Sequence, residues 1–540
     1  MITQLALQNI RVFDDDFWEF DLAPLTVLCG ANSCGKSTLL KTLQMLRQTM
    51  DYRESLGSDD GELRFVGSYV DMGGYTSLVS HREAGRTMGV RIGVQSRVSR
   101  SGLEDLRRIM GLDGASTGES ATTSKARVTY ILLAEFLFRP ATSTREADED
   151  EDRDVARPTQ NRPGDELRGQ MESATFDLMV RGRPVAHWFV KRAPADDGYE
   201  LYVPLPLFRD YRRQLHIKAA VPKQRTRRKE KYAVVPVQMI GLIPVRMSIP
   251  LRVSGEGPGS QPSGKSSVTV PLPGHLSGPC HALLRAVDTV HYLGPLRSAV
   301  RRYYVLDANR AVMDSAGEYM PYVLRDSLDR SVVHVAPEGG RKKKVSLGEA
   351  LNDWLRYLRA GDQSVAPEKS ELRVLPTKHV FVELAIRSAL GEEQHALADS
   401  GVGYSQVLPI LVQCLLAVPG STTTIEQPEL HLNPALQVRL ATFFARMAEC
   451  GKQVILETHS EHIVNAIRVL AAEDATGKLA RSSRIYFIDT SGPEMGVCDM
   501  SITPDGNVSD WPDSFFGEAL TLTGRLLRAQ RQRREAKAST

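Results

Sequence analysis

Residues 24–43 read PLTVLCGANSCGKSTLLKTL, and the fold turns on how residues 30–37, GANSCGKS, are understood. These eight residues fit G-x-x-x-x-G-K-[ST], with Gly30, Gly35, Lys36 and Ser37 in the fixed places. The flanks fit too. LTVLC is a short apolar run suited to a buried strand, and KSTLLKTLQMLRQTM carries apolar residues at helical spacing. A strand, a glycine-rich turn and a helix in that order make a phosphate cradle. Backbone N–H groups along Gly30, Ala31, Asn32, Ser33, Cys34, Gly35, Lys36, Ser37 and Thr38 point at anionic oxygens, and the helix N-terminus adds positive potential. Lys36 is expected to reach the β- and γ-phosphates and Ser37 to ligate Mg2+. A chance glycine turn meets the bare pattern; the strand and helix on either side argue against one.

Three stretches far downstream bear on the same chemistry. In TTTIEQPELHLNP, 422–434, three threonines and Ile425 make a β-branched strand ending at Glu426, where a Walker B carboxylate holds Mg2+. A strand that merely ends in a proline turn gives the same letters. In DSGVGYSQVLPILVQCLLA, 399–417, Gly401 and Gly403 lead into Ser405 and Gln406 at the start of an apolar helix. That is a second anion-binding N-terminus, or an ordinary glycine turn with Ser405 as N-cap. In KQVILETHSEH, 452–462, a short buried strand ends at Glu457, Thr458 and His459. The run HSEH is too short and mixed for a metal site.

The rest of the chain sets bounds. Its 540 residues suggest two to four structural units, and a 42% hydrophobic, 25% charged composition is that of a globular protein. A net charge of +3 excludes a strongly basic nucleic-acid coat, though not a local basic patch. No apolar run reaches the ~18 residues of a membrane helix, and the N-terminus lacks the basic leader and apolar core of a signal peptide. Six scattered cysteines without a C-x-x-C pair argue against zinc and disulfides, and suit a cytoplasmic location.

Regular patterns mark the two ends. ITQLALQNI at the N-terminus alternates like a half-buried strand, and RFVGSYVDMGGYTSLV, 64–79, reads as rich in strands. The middle is uneven: acidic at 146–154, basic at 222–231 (PKQRTRRKEK) and low in complexity at 254–267. SLGEALNDWLRYL, 346–358, places Leu347, Leu351, Trp354, Leu355 and Leu358 on one helical face. Strands at 371–389 precede a final stretch alternating helix and strand, the α/β signature. The expected organisation is an N-terminal lobe with the phosphate loop, 1–99; an inserted α+β module with mobile loops, 100–285; a C-terminal lobe, 286–525; and a basic tail, 526–540.

Phosphate loop, Gly-Ser turn, Glu-ended strand and His-ended strand follow one another in the order of the ABC-type ATPases. The chain resembles their RecF/SMC-like branch, and more closely bacterial AAA/ABC-type ATPases related to the OLD family but without its TOPRIM nuclease domain. The resemblance rests on LALQNIRVF, GANSCGKSTLL, DSGVGYSQVLPIL, IEQPELHLNP and ETHSEHIVNAIR, with YLGPLRSAVRRYY (292–304) and DGNVSDWPDSFFGEA (505–519), over about 1–95 and 285–520. It implies an α/β fold of the ABC-type P-loop ATPase head, split by the insert. It implies ATP and Mg2+ as cofactors, with ATP held at the interface of a homodimer or higher even oligomer. In that arrangement Ser405, with Gly401 and Gly403, meets the γ-phosphate from the other subunit, and His459 senses it.

Two departures matter. The catalytic glutamate of the class falls at Gln427, and an amide can position water without accepting its proton. Either Glu429 supplies the carboxylate, or hydrolysis is slow and the chain acts as a binding switch. Asn433 also stands where the D-loop has Asp. The resemblance further implies an anti-phage defence ATPase that controls a separately encoded effector, a nuclease or toxin. The alternative is a RecF-like DNA-repair ATPase that binds duplex DNA itself. Arg297 and Arg301 suit phosphates or structural ion pairs, and the basic run 222–231 and the tail suit DNA or solvent.

Overall fold

The computed structural model describes residues 1–51, 61–112, 127–141, 168–193, 198–217, 223–227, 230–251, 267–305, 313–360, 371–377, 381–387, 394–396, 402–489, 496–509 and 525–530. The acidic run 146–154, nearly all of 254–267, Asp399, Gly401 and residues 510–519 lie outside the described residues. The chain forms two compact units. One comprises Met1–Leu22, Ser37–His291 and Gly420–Thr422; the other comprises Ala23–Lys36, Tyr292–Pro419 and Thr423–Thr540.

The first unit is organised on a twelve-stranded antiparallel sheet. Strand Met88–Ser99 pairs with Ile2–Gln8 on one side and with Arg127–Ala141 on the other, so the sheet continues unbroken past residue 100. Alternation decides which face is core. In Arg127–Ala141, Tyr130, Leu132, Ala134, Phe136 and Phe138 are buried and their neighbours are not. On the next strands Phe176 stacks on Trp188 with ring centres 5.5 Å apart.

Two stretches of this unit differ from the sequence-based expectation. Residues 64–79 form turns and a short helix, Tyr75–Leu78, rather than strands. Their backbone is satisfied by side chains of a neighbouring helix instead of a ladder: Gln48 accepts from the Val70 N–H (3.1 Å) and donates to the Arg64 carbonyl (2.7 Å), while Thr49 accepts from the Arg64 N–H (3.0 Å). The second is part of the basic run, read from sequence only as suiting DNA or solvent. Lys223–Arg227 is a strand paired with Glu230–Ile240, because Ala233 and Val234 opposite it already belong to the sheet.

The second unit is built on a six-stranded sheet, whose strands are β1 (Leu25–Gly30), β2 (Val290–Leu293), β3 (Thr422–Glu426), β4 (Gln453–Glu457), β5 (Ser483–Asp489) and β6 (Gly496–Met500). Their spatial order is β2-β3-β4-β1-β5-β6. Strand β1 lies parallel to both β4 and β5, and β6 returns antiparallel along β5. LTVLC, TTTIE and QVILE are buried at every position, as central strands covered on both faces should be. Helix α1 (Lys36–Met50), which from Ser37 onward belongs to the first unit, follows β1 in the chain; in the second unit α2 (Val402–Leu416) precedes β3, α3 (Pro434–Glu449) joins β3 to β4, and α4 (Glu461–Glu473) follows β4. The amphipathic helix expected at 346–358 is present as Leu347–Ala360, with all five predicted apolar residues buried. Its Trp354 packs edge-on to Phe443 of α3 with ring centres 4.9 Å apart. The fold is of the expected α/β class. No described helix is long and apolar enough to cross a membrane.

Candidate nucleotide-binding site

Strands β3, β4 and β1 are neighbours in the sheet, and predicted site residues stand at or just beyond their ends: Glu426 ends β3, Gly30 ends β1, and His459 follows β4. At the end of β1, Gly30 has φ +136°, and a Cβ there would lie 2.1 Å from the Ile488 carbonyl oxygen of β5. Only glycine fits so close an approach. Ser33 (φ +63°) and Gly35 (φ +97°) complete the curl, while Ala31, Asn32 and Ser33 stay exposed. Lys36, 3% exposed, turns its ammonium back into the curl. It donates to the carbonyls of Gly30 (3.1 Å) and Ala31 (2.5 Å) and to the Cys34 sulfur (3.4 Å). Ser37 and Thr38 begin α1, and Thr38 is buried.

At the end of β3, Glu426 is buried and accepts a 2.8 Å hydrogen bond from the Tyr292 hydroxyl. The chain then turns sharply. Gln427 has φ +43°, and its N–H donates to the Glu457 carbonyl at the end of β4 (2.7 Å). Two residues on, the Glu429 carboxylate accepts from the Thr458 hydroxyl (2.8 Å) with one oxygen and from the His459 N–H (2.7 Å) with the other. Both oxygens of the expected alternative base thus face the loop after β4.

That loop is tied on several sides. The Thr458 N–H donates to the Leu28 carbonyl of β1 (3.0 Å). Ser460 caps α4 by accepting from the Ile463 N–H (3.1 Å) and donates to Gln437 of α3 (2.6 Å). Burial, reinforced by the Lys36 charge, holds the His459 imidazole below its ordinary pKa, so it is neutral at pH 7. Asn433, at the D-loop position, caps α3 by accepting from the Leu436 N–H (2.9 Å).

Asn32, Gln427, Glu429 and His459 line one cavity of about 670 Å³, together with Leu430, Gln437, Ser460, Glu461 and His462. Four predicted residues from three separate stretches therefore converge. Glu426 sits buried and does not line the cavity. Nor do Gly403, Ser405 and Gln406, which stand in α2. Ser405 is not an N-cap: the helix already begins at Val402, which places Ser405 within its first turn. Gly403 is helical as well, and a Cβ on it would meet nothing within 4 Å. The Gln406 amide oxygen is buried with no partner among the described residues.

Two contributors went unassigned in the sequence. Arg297, 7% exposed, donates to the carbonyls of Glu426 (2.8 Å) and Gln427 (3.4 Å), so it is neither a surface ion pair nor turned to solvent. Burial pulls its pKa down to about 10, against the opposing pull of Glu429, Tyr292 and Glu426, and it keeps its charge at pH 7. Tyr292 opens the stretch YLGPLRSAVRRYY, but nothing in the sequence gives it a role at the site, since its partner lies 134 residues away. Arg301 pairs with Glu318 at the surface (3.2 Å).

A triphosphate with Mg2+ can be tested against these features. The curl is shaped by a glycine that excludes any Cβ and carries a buried ammonium at its centre, and a buried carboxylate, Glu426, ends β3, two strands away in the same sheet. Those are the donor types such a group needs, and the residues fit it.

Among solved structures, the chain is similar to the SMC head domain from Thermotoga maritima, with 9% identity, a TM-score of 0.33, and 93% of this chain and 99% of that one covered. It is also similar to a Pyrococcus furiosus Smc head domain with an extended coiled coil bound to the C-terminal domain of ScpA, with 10% identity, a TM-score of 0.34, and coverage of 98% and 99%. No curated protein matches the chain. Residues 480–526 match a protein family of unknown function, DUF3696. Residues 25–240 and 346–465, more than half of the chain, match AAA_21, described as "AAA domain, putative AbiEii toxin, Type IV TA system". With its phosphate loop, strand-end carboxylate and histidine loop arranged as above, the chain belongs to this AAA family.

Proposed function

We propose that the chain is an ATP-binding, slowly hydrolysing switch of the ABC/SMC-like type. The observation that carries this reading is the convergence of Asn32 of the phosphate loop with Gln427, Glu429 and His459 around one cavity. Gly30 through Thr38 cradle the triphosphate, Lys36 neutralises its β- and γ-oxygens, and Ser37 and Glu426 hold Mg2+. Bound there, Mg2+ supplies Lewis-acid stabilisation of charge developing on the phosphate. The Gln427 amide orients water at the γ-phosphate but cannot take its proton. Glu429 has both oxygens committed to Thr458 and His459, so it serves chiefly to hold the histidine loop. Neutral His459 faces the γ-phosphate as a hydrogen-bonding sensor.

Gly403, Ser405 and Gln406 lie outside this cavity, which accords with their serving the site of a second copy. ATP binding then drives association into a homodimer or higher even oligomer, and slow hydrolysis times its release. The family description, which names a toxin and a toxin–antitoxin system, supports a defence setting in which the ATPase controls a separate nuclease or toxin.

The test compares ATP turnover and ATP-dependent association of the wild type with Lys36→Ala, Gln427→Glu and Glu429→Gln. Lys36→Ala should lose both properties, and Gln427→Glu should raise turnover. Unchanged turnover in Lys36→Ala overturns the reading. Turnover abolished by Glu429→Gln, with no rise in Gln427→Glu, makes Glu429 the base instead.

A further inference from the structure

The stretch YLGPLRSAVRRYY was singled out in the sequence, yet the cradle, carboxylate and histidine loop leave it without a task. In the structure its first six residues wrap the end of β3. Tyr292 belongs to β2, the strand beside β3, and its hydroxyl bonds the side chain of Glu426 at 2.8 Å. Arg297 reaches the same residue from the other direction, gripping the Glu426 carbonyl at 2.8 Å and the Gln427 carbonyl at 3.4 Å. One segment thus holds the carboxylate, its backbone and the next residue.

The segment is itself rigidly placed. The Gly294 N–H donates to the Ser315 carbonyl (2.8 Å) and the Ser298 N–H to the Ala316 carbonyl (2.9 Å). Asp314 fixes that support by accepting from the N–H groups of Ala316 (3.1 Å) and Tyr319 (2.8 Å). What Arg297 stabilises also needs stabilising. Gln427 is a non-glycine residue at φ +43°, a strained conformation that persists only where its surroundings over-determine it. Its N–H is bonded to Glu457 and its carbonyl to Arg297, so both peptide groups are pinned while the side chain lines the cavity. A buried guanidinium spent on two backbone carbonyls, with its Nε unpartnered among the described residues, is a costly way to hold a turn unless the turn's direction matters.

We propose that Tyr292 and Arg297 are positioning residues of the hydrolysis site. Tyr292 fixes the Glu426 carboxylate in the orientation that serves the metal, and Arg297 fixes the strained turn that aims Gln427 at the γ-phosphate. The proposal rests on the nucleotide reading above and adds to it a division of labour. Loss of the tyrosine hydroxyl should weaken the metal, whereas loss of the arginine fork should slow the chemistry.

The experiment uses the full chain and Mn2+ as the metal probe, with Tyr292→Phe, Arg297→Lys and Glu426→Gln. Free Mn2+ is titrated by electron paramagnetic resonance in the presence of ATP, ATP binding is measured in EDTA, and steady-state ATPase constants are recorded. Tyr292→Phe should weaken Mn2+ about tenfold, as for a lost hydrogen bond to a charged group, while ATP binding in EDTA is unchanged. Arg297→Lys should lower kcat by about tenfold or more with KM and Mn2+ affinity held, because an ammonium cannot span two carbonyls as the fork does. Mn2+ affinity within twofold of wild type in Tyr292→Phe, with Glu426→Gln weakened, overturns the role of Tyr292 alone. Unchanged kcat in Arg297→Lys overturns that of Arg297. Unchanged Mn2+ affinity in Glu426→Gln overturns the assignment of Glu426 as the metal carboxylate, and the tyrosine's role with it.

Discussion

Gly30→Ala tests the close approach on which the phosphate loop depends. Two costs add. The first is conformational: φ +136° is open to glycine and closed to alanine, a strain of about 1–3 kcal/mol. The second is steric. The new Cβ would stand 2.1 Å from the Ile488 carbonyl oxygen and 3.0 Å from its carbon, both backbone atoms of a paired strand that cannot swing aside like a side chain. Overpacking of this kind costs a further ~1–3 kcal/mol, so the total is about 2–6 kcal/mol. Lys36 donates to the Gly30 carbonyl, so displacement of this residue carries the ammonium with it. Urea unfolding should show the loss, and equilibrium dialysis should show weakened ATP binding. Gly403→Ala is the matched control: it is helical, meets nothing within 4 Å, and should be neutral or stabilising by up to ~1 kcal/mol. A Gly30→Ala protein that unfolds within ~1 kcal/mol of wild type and binds ATP equally well would refute the packing argument.

Two further perturbations concern stability. Burial, helped by the Arg47 charge, pulls His291 from 6.5 to about 4, so between those values the unfolded chain holds more protons. Stability is then complete above pH 6.5 and falls by about 3 kcal/mol on acidification to pH 4; His291→Gln should flatten that part of a plot of urea midpoint against pH. Lys452, 1% exposed, donates to the Cys414 (3.1 Å) and Leu415 (2.8 Å) carbonyls at the end of α2. Lys452→Met strands both carbonyls and should cost about 1–3 kcal/mol by chemical denaturation; an unchanged midpoint would show that the ammonium contributes nothing.

What could be read in the sequence was what the chain decides locally. GANSCGKS needs glycine where φ is positive and a lysine behind it, and TTTIE and VILE are strands by side-chain type alone, so cradle and strand ends were visible as letters. What could not be read depends on partners distant in sequence. Tyr292 and Arg297 act on Glu426 and Gln427 some 130 residues later, and no periodicity records such a meeting. The basic run became a strand because Ala233 and Val234 offered it an edge, and residues 64–79 lost their expected strands because Gln48 and Thr49 supplied other partners. The glycines before Ser405 leave an anion-binding turn and a simple N-cap both open, and nothing in their letters shows that the helix starts at Val402, ahead of Ser405. The commitment of Glu429 to the histidine loop was equally hidden, since it turns on the direction of a side chain.

The placement of β1 has a consequence for biosynthesis. Leu25 pairs with Val454 and with Ser483, so the strand that carries the phosphate loop leaves the ribosome more than 400 residues before these neighbours and is among the last to find them. At roughly 5–20 residues per second, it waits on the order of a minute as an unpaired apolar ribbon. Nascent LTVLC is therefore a natural client for a ribosome-associated chaperone, and truncated chains that end before β4 should be aggregation-prone and unable to retain nucleotide.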